Sequence, residues 1–182
     1  MQHQAPATGS PTTRSPTTRS TAAGSTAAGS TAAAATRASV VEELYAALAR
    51  GDVQALVDAL SEDIAWTVAA GLPYAGTYVG RPAVLDVFAR YGAEWDDLSV
   101  VPAQVLAVDD VVIALGDYHA RGRVSARPMS ARFAHVWRFD GGRPVAFETI
   151  ADTATMVAAL GDAGAGPGRS GAEPGTAPVR AN

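Results

Sequence analysis

The stretch FAHVWRFDGGRPVAFETIADTA, residues 133–154, decides the fold of this chain. Its apolar side chains recur at every second position before the DGG tripeptide at 140–142 and again after it. This pattern predicts two antiparallel strands that are joined by a tight hairpin turn. Asp152 then stands where an N-cap residue is expected, directly before the apolar helical segment TATMVAAL. The stretch therefore predicts the end of an antiparallel sheet and a short helix that follows it.

In the chain before this stretch, the spacing of apolar residues changes from the period of a helix to the period of a strand. Three amphipathic helices are predicted first: one N-capped at Ser39 in a capping box with Glu42, one capped at Asp52, and one at residues 81–91. A short strand, DIAWTV, precedes the third helix. Four strands with a period of two follow, at residues 98–108, 111–123, 129–139 and 145–150. Helices on one side of an antiparallel sheet give an α+β fold, and a strongly bent sheet leaves a cone with an apolar mouth for a small ligand.

Two segments of simple composition flank this folded part. Residues 10–34 repeat a five-residue unit, from SPTTR to STAAG and STAAA, and the last residues are rich in Gly, Pro and Ala. Neither segment carries the large apolar side chains whose burial would offset the entropy cost of ordering. We therefore predict a disordered tail at residues 1–38, one domain at residues 39–162 and a second disordered tail at residues 163–182.

The composition excludes several classes of protein. The chain has no cysteine, which excludes disulfides, thiolate zinc sites and cysteine nucleophiles. Residues 39–162 carry 17 acidic side chains against nine arginines, a net charge near −8 that disfavours binding to nucleic acid or to an anionic membrane. No apolar run approaches the roughly 18 residues of a membrane span, and the first residues lack the apolar segment of a secretory signal. We expect a cytoplasmic protein.

The chain resembles the nuclear transport factor 2-like superfamily, and within it the SnoaL-like polyketide cyclase and ketosteroid isomerase-like group. The motifs that carry the resemblance are LYAALARGD, LSEDIAW, GTYVGRPAVLDVF and the stretch at residues 133–154. The resemblance implies a cone-shaped, strongly curved antiparallel sheet wrapped on N-terminal helices, with a cavity that takes apolar molecules. Members commonly pair through the open face of the sheet, so we expect a homodimer in which that face presents the apolar residues Val112, Ala114, Val136 and Ile150.

The resemblance also locates the positions where relatives carry their catalytic groups. The general-base carboxylate of the ketosteroid isomerase pattern falls on or beside Val68, its oxyanion-hole tyrosine at Leu44, and its protonated aspartic acid at His135. Tyr45 is adjacent to the tyrosine position. The acid/base aspartate of the SnoaL-like cyclases falls at Thr149, and their pattern allows a histidine at position 135. Because the isomerase carboxylates are missing or replaced, we do not expect ordinary ketosteroid isomerisation.

His135 is the candidate catalytic residue. Alternation places it on the strand face that carries Phe133, Trp137 and Phe139. An imidazole titrates near neutral pH, so it could exchange a proton with a substrate oxygen, and its apolar neighbours would lower its pKa by desolvation. The alternative is a structural histidine that is hydrogen-bonded inside the core. The sequence leaves both interpretations open.

Aromatic side chains are expected to line the cavity, although each of them could equally be ordinary core. Trp66 and Phe133 are the foremost of the predicted ligand-binding residues. Tyr74 lies in a loop over the mouth, where it could act as a lid, a hydroxyl donor or a packed anchor, and Tyr45 could also assist His135. Trp137 could instead face a dimer partner. The full predicted set is Trp66, Tyr74, Phe88, Phe133, Trp137, Phe147 and Thr149.

Two other polar residues are expected to point away from the cavity. His119 lies at a strand end with charged neighbours, and alternation places Glu148 opposite Phe147. Two histidines without a spaced carboxylate motif predict no metal site, and no cofactor is expected. The leading hypothesis is a SnoaL-like protein that binds a small apolar oxygenated molecule, with acid/base chemistry of the isomerase, cyclase or dehydratase type. The alternative is a non-catalytic binding or dimerisation module with a structural His135.

Overall fold

A computed structural model describes residues 22–161 of the chain, with side chains from residue 29 onward. The long strands and the helices that follow residue 52 lie close to their predicted positions, and the short strand β2 was not predicted. The elements in chain order are α1 Ala22–Ala49, α2 Val53–Ala59, β1 Ala65–Val68, β2 Gly76–Val79, α3 Arg81–Glu94, β3 Trp95–Val108, β4 Val111–Gly122, β5 Pro128–Asp140, β6 Arg143–Ala151 and α4 Thr153–Leu160.

The six strands form one sheet in the order β2-β1-β6-β5-β4-β3. All neighbouring strands are antiparallel except β1 and β6, which are parallel. Register shifts interrupt the β3–β4 and β5–β6 ladders, and irregularities of this kind bend a sheet. The helices lie on the concave side, so the predicted α+β cone is confirmed.

Alternation along β4, β5 and β6 separates a core face from an outer face. Paired residues share a face, so Val112 lies beside Trp137 and Ala114 beside His135 on the core face. Val112 and Ala114 are completely buried, whereas Ile150 is 55% exposed on the outer face. The expectation that Val112 and Ala114 belong to the open face is therefore wrong. The β4–β5 register pairs even with odd positions, so even-numbered residues of the two strands point to opposite sides.

The first helix differs from the prediction at its start. Helix α1 begins at Ala22, so the predicted N-cap and capping box at Ser39 are wrong. Ser39 lies inside the helix, where its hydroxyl donates to the Ala35 carbonyl at 3.3 Å. Alanine-rich sequence has high helix propensity, and Arg37 ties the helix to the β3–β4 turn by donating to the Asp109 carbonyl at 2.6 Å. The disorder predicted for residues 1–21 and 163–182 lies outside the described residues.

The two other predicted N-caps are confirmed. The Asp52 carboxylate accepts from the backbone N–H of Ala55 at 3.0 Å, and the Asp152 carboxylate accepts from that of Thr155 at 3.1 Å. These bonds satisfy backbone donors that the first turns of α2 and α4 leave unpaired. No helix among residues 22–161 is long and apolar enough to cross a membrane.

Candidate functional site

A cavity of about 320 Å³ lies between the core face of the sheet and the helices. Pockets for small molecules typically measure roughly 300–1,000 Å³, so this cavity suits a compact ligand. In the part of the chain that the structure describes, its lining is apolar and aromatic and contains no Asp, Glu, Lys or Arg. The polar groups that it offers belong to Tyr45, Tyr74, Tyr91, Tyr118, His135, Thr149 and the indoles of Trp66, Trp95 and Trp137.

His135 lies between two tyrosine hydroxyls, and we call these three residues the Tyr–His–Tyr group. The imidazole Nδ1 lies 2.8 Å from the hydroxyl oxygen of Tyr45, and Nε2 is hydrogen-bonded to the hydroxyl of Tyr118. Trp137 extends the group, because its indole N–H donates to the Tyr45 oxygen at 3.2 Å. Helix α1 supplies Tyr45, while β4 and β5 supply the other members, so the group joins the helix to the sheet.

Burial sets the protonation state of this group. It lowers the pKa of His135 to about 3, so the imidazole is neutral at neutral pH. Burial also raises the pKa of Tyr45 and of Tyr118 above that of an ordinary phenol. Each of the three side chains is therefore uncharged under physiological conditions.

A neutral imidazole that lies between two phenols can accept a hydrogen bond from only one of them, so the O–H of the other phenol does not point at the imidazole. The ring has one N–H and one bare nitrogen, so one tyrosine must donate to it while the other accepts from it. The accepting tyrosine keeps its O–H for another acceptor. The Trp137 indole already donates to the Tyr45 oxygen, which favours Tyr45 as the donor to Nδ1. Tyr118 then accepts from Nε2–H, and its O–H is left for Thr149 or for a ligand at the cavity wall, which both residues line.

The structure brings six of the seven predicted ligand-binding residues to the cavity. These are Trp66, Tyr74, Phe88, Trp137, Phe147 and Thr149. Phe133 was expected to be foremost, but it does not line the cavity. It lies behind His135, with its ring stacked 3.9 Å from the imidazole centroid and 4.7 Å from the Tyr118 ring. Gly116 leaves room for it, since a Cβ there would come within 2.7 Å of the Phe133 ring.

Tyr74 forms a fixed wall of the cavity. Its side chain is 4% exposed, its hydroxyl accepts from the Trp95 indole N–H at 2.8 Å, and its ring packs edge-on against Tyr91. These contacts match the packed-anchor alternative for the loop that carries Tyr74. Trp137 is buried in the core and does not face a dimer partner.

The sequence analysis missed three residues of the site. Tyr118 was not considered, although it shares even parity on β4 with Val112 and Ala114, which the structure buries. Tyr91 and Trp95 went unnoticed because the predicted third helix ended at the first of them, whereas α3 continues to Glu94. Parity alone could not have identified Tyr118, because the sequence analysis had assigned Val112 and Ala114 to the open face.

The polar residues that were expected outside the cavity are exposed. Both His119 on β4 and Glu148 on β6 point away from the core face. Among the described residues, no group of three or more His, Asp or Glu side chains could hold a metal ion.

The cone fold and its apolar cavity define a protein of the nuclear transport factor 2-like class. A family model for the SnoaL-like domain matches residues 41–147, more than half of the chain. The chain therefore belongs to the SnoaL-like domain family, which confirms the resemblance drawn from its motifs. A search of curated proteins found no match.

Three solved structures illustrate the likeness. A nuclear transport factor 2-like protein from Burkholderia thailandensis E264 is 35% identical, with a TM-score of 0.66 over 68% of this chain and 96% of its own. Bal32a, from a soil-derived mobile gene cassette, is 26% identical, with a TM-score of 0.65 over 70% of this chain and 98% of its own. A candidate polyketide cyclase from Xanthomonas campestris pv. campestris is 17% identical, with a TM-score of 0.64 over 70% and 98%, and shows the fold alone.

Proposed function

We propose that this chain binds a small apolar molecule in the cavity and that the Tyr–His–Tyr group holds an oxygen atom of that molecule. The observation that carries the proposal is the pair of hydrogen bonds that link a buried, neutral His135 to Tyr45 and Tyr118 in a cavity whose described lining has no charged side chain. A charged ligand would lose its hydration there without gaining a counter-ion. An uncharged oxygen that accepts a hydrogen bond fits the lining.

The same group could assist acid/base chemistry without a cofactor. A buried phenol O–H directed at a carbonyl stabilises the negative charge that develops on its oxygen during enolisation, cyclisation or dehydration. Burial raises the pKa of both tyrosines further above neutral pH, so both stay protonated, and Tyr118 is the one whose O–H is not used on His135. The described lining holds no carboxylate base. The resemblance puts the base of the isomerase pattern on or beside Val68, where this chain has no acid. The group therefore supplies the acid half of such a reaction.

A second candidate function is binding without chemistry. Tyr45 and Tyr118 occupy both ring nitrogens of His135, which is 4% exposed, so neither nitrogen is free to act as a general base. In this case the Tyr–His–Tyr group only orients the ligand, as the structural interpretation of His135 requires. Both candidates share the ligand class and differ in whether the bound molecule reacts.

The binding proposal is tested with tetralin and 1-tetralone, which share a carbon skeleton and differ in one carbonyl. We expect 1-tetralone to bind about 2- to 10-fold more tightly, the range for one net hydrogen bond. Tyr118→Phe should remove this preference. Tyr78→Phe is the matched control, because Tyr78 lies outside the lining and donates to the Tyr74 carbonyl at 2.7 Å. A preference that survives in Tyr118→Phe, or 1-tetralone that does not bind, contradicts the proposal.

Chemistry and binding are separated by hydrogen–deuterium exchange at the α-carbon of 1-tetralone in D₂O. A catalyst that stabilises the enolate accelerates exchange above the buffer rate, and Tyr118→Phe lowers the acceleration. A binding module leaves exchange at the buffer rate even when the ketone is saturating.

A further inference from the structure

A buried donor without an acceptor lies across the Phe147 ring from His135. Trp66 is 3% exposed and lines the cavity, and its indole N–H has no hydrogen-bond partner. The other two indoles of the lining are paired: Trp95 donates to Tyr74 and Trp137 donates to Tyr45. The Trp66 indole is therefore the exception among three similar groups.

The sheet order fixes where this donor lies relative to the Tyr–His–Tyr group. Strand β6, which carries Phe147, runs between β1 with Trp66 and β5 with His135. The Phe147 ring stacks on Trp66 at a centroid distance of 3.8 Å and meets the imidazole edge-on at 4.9 Å. A ligand that covers Phe147 thus has polar groups available on both sides.

Tyr91 on α3 lines the same end of the cavity as Trp66, because the Phe88 ring lies 5.7 Å from both of their rings. Burial raises the pKa of Tyr91, and the indole N–H, which faces the phenol oxygen, lowers it in part. The two groups are close, yet the indole does not reach hydrogen-bond geometry. An N–H and an O–H therefore converge on one small region of the wall.

Native proteins rarely leave a buried N–H unpaired, and each such group calls for an explanation. A ligand oxygen that lies within hydrogen-bond distance of both the Trp66 indole and the Tyr91 hydroxyl would accept from both and remove the cost of the unpaired donor. The surrounding walls are flat aromatic rings, among them Phe88 at 5.7 Å from the Trp66 centroid, and they favour a planar ligand.

We infer that Trp66 and Tyr91 form a second oxygen-binding subsite, and that the ligand is a compact planar ring compound with two uncharged oxygen acceptors, one on each side of Phe147. A cyclic dicarbonyl has this chemistry. The inference rests on the proposed function, because the Tyr–His–Tyr group must hold the first oxygen.

The test adds 1,4-naphthoquinone, with two carbonyls, to tetralin and 1-tetralone. The chain has no cysteine and no lysine that could add covalently to the quinone. We expect the quinone to bind about 2- to 10-fold more tightly than 1-tetralone, which corresponds to one further hydrogen bond. Tyr91→Phe should bring the quinone down to the affinity of 1-tetralone and leave 1-tetralone unchanged. The control Tyr78→Phe should preserve the ratio of the two affinities.

The indole N–H resonance of Trp66, assigned with Trp66→Phe, gives a readout that does not depend on affinity. It should move downfield when the quinone binds. If the quinone and 1-tetralone bind equally and this resonance does not move, the second subsite is wrong while the proposed function stands. A resonance that is already at a hydrogen-bonded position in the free protein shows that water or the Tyr91 hydroxyl satisfies the indole, which also overturns the subsite. If no carbonyl compound binds, the proposed function fails, and the subsite fails with it.

Discussion

Mild acid should destabilise this protein through His135. Burial lowers the pKa of His135 from 6.5 to about 3, so between these values the unfolded state binds a proton that the folded state does not. Stability is therefore fully present above the unfolded pKa and falls as the pH falls, by up to about 1.4 kcal/mol per pH unit. Integrated from pH 7.5 to 5.5, the loss is about 1.4 kcal/mol. It continues until the pH approaches the folded pKa.

Urea denaturation at pH 7.5, 6.5 and 5.5 measures this loss. This range stays above the ordinary pKa of Asp and Glu, so His135 dominates the dependence. His135→Gln should be less stable at pH 7.5 but should lose nearly all of the pH dependence. His119→Gln, at an exposed position, is the control and should keep the wild-type slope. Equal slopes in the wild type and in His135→Gln would refute the claim that burial excludes the charged imidazole.

Three further predictions concern packing, assembly and capping. Gly116→Ala should cost about 3 kcal/mol of unfolding free energy in urea denaturation, because its Cβ would lie 2.2 Å from the Val101 carbonyl oxygen and 2.7 Å from the Phe133 ring. An unchanged stability would contradict the packing. We expect a homodimer through the outer face, so Ile150→Glu should give a monomer in light scattering. The control Val157→Glu, on α4, should remain a dimer, and a monomeric wild type would contradict the expectation. Asp52→Ala should cost about 0.5–2 kcal/mol by the same denaturation assay, as expected for the loss of an N-cap, and a neutral result would show that the cap is dispensable.

The long strands could be predicted because alternation records burial directly in the sequence. The assignment of residues to faces across β4 and β5 could not, because it depends on pairing register: Val112 pairs with Trp137, and neither strand alone reveals this. The start of α1 was missed for a different reason. Its Ala-rich repeat has no apolar stripe, and the Arg37 contact to the Asp109 carbonyl joins residues far apart in the chain.

The site could be predicted only in part. His135 and the aromatic lining followed from one strand pattern and from the family resemblance. The bonds of His135 to Tyr45 and Tyr118 join α1, β4 and β5, so they follow from tertiary packing and leave no local signature. Phe133 was misplaced because alternation gives the face of a residue but not its depth along the cone.

The most direct test of the account is ¹⁵N NMR of the His135 ring nitrogens, with and without 1-tetralone. We predict one protonated and one bare nitrogen at every pH that keeps the fold, and a shift of both resonances on ketone binding that Tyr118→Phe abolishes. If the free protein shows this state and neither 1-tetralone nor 1,4-naphthoquinone perturbs it, His135 is a structural residue and the cavity is not the binding site proposed for it.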